Sequence, residues 1–199
     1  MKVSRENALP VGLDSGLGQI QEWIESGRPM PAAPKKGQVI LKDIHKDYLD
    51  FLLKYKGDYS DIKIAFDLSN GMSSLYAREI FGDEPAYIFE ELDGNFPNHE
   101  PNPLIPKNVE PLKTLVKKTG ADIGVIYDGD ADRVMFVDNE GEFVSPDLMI
   151  AVLGHYFVDE RHETGIVLQD IRSSKAVGEY LTPMGCRMAT WKVGRAFAA

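Results

Sequence analysis

The sequence predicts an α/β fold with mixed, mainly parallel sheets flanked by helices. Strand-type runs alternate with helix-type runs from residue 62 to residue 191, which implies parallel pairing through right-handed crossovers. One of those strands closes in Asp128-Gly129-Asp130-Ala131-Asp132, at the carboxyl end, where ligands of open α/β sheets gather. With 199 residues and 43% hydrophobic content, the chain can enclose real cores in one or two domains.

The elements follow in order. Leu17, Ile20, Trp23 and Ile24 recur at helical spacing, so residues 15–26 read as a helix ended by Gly27. Residues 29–37 hold Pro29, Pro31, Pro34 and the solvated pair Lys35-Lys36, and read as a loop or linker. Val39-Ile40-Leu41 predicts a short strand, and residues 44–55 a helix with Tyr48, Leu49, Leu52 and Leu53 turned inward. Residues 61–145 look self-contained: strand 62–66, helix 73–80, strand 86–89, helix 109–118 closed by Gly120, and strand 123–127. A hairpin of 134–137 and 142–144 turns at Asp138-Asn139-Glu140-Gly141. Ser145-Pro146-Asp147 then starts a helix over 148–158, a cap followed by proline at the first helical position. A further unit begins with strand 166–169, helix 174–181 and strand 188–191, and leaves a sheet edge open.

Composition narrows the partners. A net charge of −9 argues against nucleic acid or an anionic membrane, which attract basic patches. No apolar run approaches the roughly 20 residues of a membrane span, and the polar stretch from Lys2 to Asn7 has no signal-peptide character. The single cysteine, Cys186, forms no internal disulfide, in keeping with a reducing compartment. A cytoplasmic protein is expected.

The chemistry concentrates at Asp128, Asp130 and Asp132. Three carboxylates two residues apart repel one another unless a cation neutralises them, so the spacing argues for a hard divalent metal. A calcium EF-hand loop needs Gly at its sixth place and Glu at its twelfth; Arg133 and Asn139 stand there, and the flanks read as strands. Arg133 is a donor suited to a phosphate beside the metal. Arg172, Lys192 and Arg195 follow strands of the last unit and emerge at one edge of its sheet. Gly16-x-Gly18 lacks both the third glycine and the preceding strand of a dinucleotide fingerprint. His45, His99, His155 and His162 are scattered and suggest no catalytic triad.

Asp-Gly-Asp-Ala-Asp-Arg, with its apolar strand and Asp138-Asn139-Glu140-Gly141, resembles the metal loop of the α-D-phosphohexomutases, the phosphomannomutase/phosphoglucomutase group. That family more often has Gly at the place of Ala131. Asp67-Leu68-Ser69-Asn70-Gly71 resembles the turn opening the family's second domain, and the loop from Asp93 to Pro103 resembles a long loop of that domain. Lys192-Val193-Gly194-Arg195 is similar to a third-domain loop that usually ends in Gly-His, and Met1 to Ser4 to the stretch just after the family's catalytic serine loop.

The resemblance implies interconversion of hexose 1- and 6-phosphates through a phosphoserine and a 1,6-bisphosphorylated sugar. Mg²⁺ would be held by Asp128, Asp130 and Asp132, the phosphate oriented by Arg133, and mannose or glucose phosphates contacted by Arg172, Lys192 and Arg195. No Ser-His-Asn-Pro loop occurs among the 199 residues. The chain therefore reads as an internal piece, inactive alone: residues 1–60 from the end of a first domain and a linker, 61–158 a second domain, and 159–199 the start of a third. A non-catalytic metal- or phosphosugar-binding module is the alternative.

Overall fold

A computed structural model describes residues 3–29 and 32–194 of the chain. In chain order the helices are α1 (Leu17–Glu25), α2 (His45–Leu53), α3 (Ala77–Phe81), α4 (Pro106–Thr119), α5 (Pro146–His155) and α6 (Lys175–Leu181). The strands are β1 (Ile64–Asp67), β2 (Ala86–Ile88), β3 (Ile123–Tyr127), β4 (Val134–Asp138), β5 (Phe143–Val144), β6 (Ile166–Asp170) and β7 (Arg187–Trp191). Contacts divide the chain into two compact units, Lys42–Met149 and Met1–Leu41 with Ile150–Ala199.

The unit Lys42–Met149 is built on a five-stranded sheet in the order β2-β1-β3-β4-β5. β2, β1 and β3 run parallel, while β4 and β5 return antiparallel, which gives the mixed, mainly parallel class. Side chains alternate between the two faces. Ala65, Ile126 and Val137 meet Val109, Leu112 and Val116 of α4 on one face; Phe66, Leu68 and Val125 meet Ala77 of α3 on the other.

The sequence of α4 explains its place. Its apolar residues recur three or four apart, Pro106 stands in the first turn where its missing N–H costs nothing, and Gly120 closes the helix at φ 64°. A Cβ on Gly124 would come within 2.7 Å of Val116 Cγ2, so only glycine lets β3 lie this close to α4. In the β1–β3 register Asp67 stands opposite Ile126. The chain leaving β1 therefore runs beside the chain leaving β3 at Asp128.

Three local expectations need correction. Val39-Ile40-Leu41 forms no strand and is 92%, 83% and 94% exposed. A strand needs a partner for its N–H and C=O groups, and no described strand pairs with it. The helix expected over 73–80 breaks into a 3-10 turn, Met72–Leu75, and the short α3, with Tyr76 between them at φ −128°. There Tyr76 stacks on His45 and takes Tyr48 edge-on, so packing against α2 overrides the local pattern. In α2, Leu49 and Leu52 are half-buried, but Tyr48 and Leu53 stay exposed because the helix rests on a narrow contact with α3.

The Ser-Pro-Asp start of α5 forms as expected, with Ser145 Oγ accepting the Asp147 N–H at 3.3 Å. In the unit containing residues 150–194, β6 and β7 pair in parallel from Ile166 with Arg187 to Asp170 with Trp191. Ser174 caps α6 by accepting the Ala176 N–H. Val177, Leu181 and Cys186 form a small core, with Ile150, Val158, Val167 and Met188 packed around it. In α1, Ile20 and Ile24 remain exposed. No described helix is long and apolar enough to cross a membrane.

Candidate metal centre

Asp128 leaves β3 at the carboxyl end of the sheet and is 1% exposed. Its turn is tied at the backbone: the Asp128 N–H donates to Arg133 O at 3.2 Å, and the Ala131 N–H donates to Asp128 O at 3.2 Å. Ala131 closes the turn at φ 58°, a left-handed conformation that suits glycine better than alanine. Carboxylate oxygens of Asp128, Asp130 and Asp132 all lie within 4.8 Å of one another. That spread is about twice the 2.0–2.6 Å bond from a hard cation to oxygen, and an all-carboxylate donor set is the chemistry such cations prefer. The three residues fit a divalent ion, and they are the one acidic cluster of this kind among the described residues.

Arg133 supplies the positive charge in the present arrangement. Its Nε donates to Asp128 Oδ2 at 2.7 Å and stands 3.8 Å from Asp132 Oδ1. Its backbone N–H also donates to Asp128 Oδ1, at 3.1 Å. Tyr127, beside the cluster, has its hydroxyl pushed above the usual value by burial, so it adds no negative charge at neutral pH.

The segment after β1 supports this loop. Ser69 Oγ donates to Tyr127 O at 2.6 Å, and the Met72 N–H donates to Gly129 O at 3.0 Å. A Cβ on Gly71 would stand 2.8 Å from Gly129 O, so glycine is required for the approach. Ser69 and Asn70 are both left-handed, at φ 51° and 52°. Asn70 is held by donating from Nδ2 to Glu91 O and accepting from Asn98 Nδ2, each at 2.8 Å. Asp67 accepts the Ser69 N–H at 2.9 Å and pairs with His99, whose Nε2 lies 3.1 Å from Asp67 Oδ2. The hydrogen bond to Asp67 holds the His99 pKa above the usual histidine value, against the opposing effect of burial.

Sequence reasoning set His99 aside among scattered histidines. Asp67 lies 32 residues away, so only the fold joins them. The signal available was the presence of both residues in motifs that resemble one domain of one family.

At the carboxyl end of β6 and β7, a cavity of about 380 Å³ is lined by Asp170, Arg172, Trp191 and Lys192 among others. Arg172 grips Asp170, with Nη2 2.7 Å from Oδ2, and this guanidinium holds the Asp170 carboxyl below the usual carboxylate range. Arg195 lies outside the described residues.

Comparison with known proteins matches residues 46–141 to the phosphoglucomutase/phosphomannomutase family, alpha/beta/alpha domain II. A phosphoglucomutase from Neisseria gonorrhoeae is 32% identical over 169 residues, 83% of this chain and 36% of that protein. The chain belongs to the α-D-phosphohexomutase family. A phosphomannomutase/phosphoglucomutase from Pseudomonas putida is 36% identical over 136 residues, covering 67% of this chain and 29% of that protein. The crystal structure of a phosphoglucomutase/phosphomannomutase family protein from Burkholderia thailandensis superposes with a TM-score of 0.74 at 26% identity, over 91% of this chain and 40% of that one. The chain thus spans well under half the length of these phosphohexomutases.

Proposed function

We propose that the chain carries the metal centre and part of the sugar-phosphate surface of a phosphohexomutase acting on mannose or glucose 1- and 6-phosphates in the cytoplasm. The reaction runs through a phosphoserine and a 1,6-bisphosphorylated sugar. Residues 61–158 serve as the second domain of that enzyme, with 1–60 and 159–199 belonging to its neighbours. Asp128, Asp130 and Asp132 hold Mg²⁺, which when bound neutralises charge on phosphoryl oxygens. Arg133, now on Asp128 and Asp132, exchanges carboxylate oxygens for those of the phosphate, which its planar fork can take bidentately. Arg172, Lys192 and Arg195 supply positive charge for the substrate.

The reading rests on one observation above all: three carboxylates converge at the carboxyl end of β3 in a chain of this family. No Ser-His-Asn-Pro loop lies within residues 1–199, so this chain performs no turnover by itself. That same feature favours, as a second reading, a binding module without catalysis. Calorimetric titration with Mg²⁺ should give weak binding to the unmodified chain and none to Asp130→Asn, which keeps the side-chain shape and removes a charge. Equal heats from the two chains would remove the loop from the argument.

A further inference from the structure

We propose that His99 positions the metal loop: as an imidazolium paired with Asp67 it pins residues 93–103 over Gly129, and cation binding weakens when that proton leaves. The proposal builds on the metal reading above and adds a residue outside the acidic cluster.

Both ring nitrogens of His99 face oxygen. Nδ1 lies 2.8 Å from the Glu100 backbone carbonyl and Nε2 3.1 Å from Asp67 Oδ2. Neither a carbonyl nor a carboxylate can donate, so a ring that satisfies both carries two protons. The side chains are 6% and 0% exposed, so water cannot replace a lost partner. Asp67, from the end of β1, is the charged group facing the ring, and Phe89, after β2, covers it edge-on at 5.3 Å. The geometry agrees with a histidine pKa raised chiefly by the Asp67 hydrogen bond.

The pair reaches the metal turn by two routes. Through Asp67 Oδ1 it holds the Ser69 N–H, and Ser69 Oγ holds Tyr127 O, one residue before Asp128. Through its own loop it carries Pro101 and Phe96, which press on the turn so closely that a Cβ on Gly129 would come within 3.2 and 3.3 Å of them. Deprotonation leaves one N–H on the ring and sets two acceptors against each other at the other nitrogen, so His99 loses either Asp67 or the Glu100 carbonyl and its hold between the strand end and the loop loosens.

The direction in pH separates this device from the carboxylates. A group whose pKa is raised on folding contributes fully below its unfolded value, here about 6.5, and its contribution fades as pH rises through the higher folded value. Carboxylates alone give affinity that rises as they ionise and is level above about pH 6. A fall in affinity on the alkaline side therefore reports the imidazolium.

Mg²⁺ titration of the 199-residue chain and of Asp67→Asn, between about pH 6 and pH 9, tests the idea. The unmodified chain should lose affinity severalfold across that range. Asp67→Asn should bind more weakly at the acid end and show no alkaline fall, while NMR shows its His99 titrating at lower pH. A level profile shared by both chains, with Asp130→Asn still abolishing binding, overturns the role of His99 and leaves the metal reading intact. If the unmodified chain binds no Mg²⁺ at any pH, the metal reading fails and amide exchange at residues 128–133 decides the rest. Protection that falls through the His99 titration, and is low throughout in Asp67→Asn, supports the positioning role; protection indifferent to both overturns it.

Discussion

Residues 64–88 and residues 166–191 follow one strand–helix–strand plan but sit in different surroundings. β1 and β2 belong to a five-stranded sheet with a buried cluster on each face. Among the described strands β6 and β7 pair only with each other, cover one face with Val177, Leu181 and Cys186, and leave Ile166, Leu168 and Trp191 more than half exposed. The contrast extends to the charged groups at the strand ends. Asp128 leaves a central strand and is buried, held in place by backbone and side-chain partners. Arg172 leaves a two-stranded pair and stands 72% exposed, its position set by one neighbouring carboxylate. A closed core is what lets this chain bury a charge, and an open pair of strands does not offer that support.

The largest effect should separate the two cores. Leu112, fully buried between α4 and the sheet, should cost about 2–5 kcal/mol when cut to alanine, through lost burial and a residual cavity. Leu168→Ala, at a site 51% exposed on β6, should cost under about 0.5 kcal/mol. Urea unfolding followed by circular dichroism compares them, and similar losses would dissolve the contrast between the regions.

The two arginines give a smaller difference. Arg133→Ala leaves the buried Asp128 charge without its guanidinium and should destabilise the metal-free chain by about 1–2 kcal/mol, discounted because Arg133 is half exposed. Mg²⁺ should restore part of that loss by taking over the carboxylates. Arg172→Ala should leave thermal unfolding unchanged, since its ion pair is exposed to solvent. A Arg133→Ala chain as stable as the unmodified one without metal would mean that Asp128 draws its stability from the backbone alone.

What could be read from the sequence follows the reach of each interaction. The acidic cluster was legible because Asp128, Asp130 and Asp132 stand at i, i+2 and i+4, so local chain geometry already brings their carboxylates together. α4 was legible from apolar spacing and from Gly120, which acts through its own backbone. Val39-Ile40-Leu41 misled because a strand is a property of two segments, and its own β-type residues say nothing about a partner. The break at Tyr76 depends on His45 and Tyr48, about thirty residues earlier in the chain. The pairing of His99 with Asp67 depends on a loop closing over a strand end, which no local pattern encodes.

The decisive observation is where a paramagnetic ion settles. Mn²⁺ should be added in small, substoichiometric steps to ¹⁵N-labelled chain while amide signals are followed. Signals of residues 128–133, and of Gly71 and Met72 against Gly129, should disappear before others, and they should persist in Asp130→Asn under the same conditions. Broadening that begins elsewhere, or that is unchanged in Asp130→Asn, would contradict a metal centre at this loop.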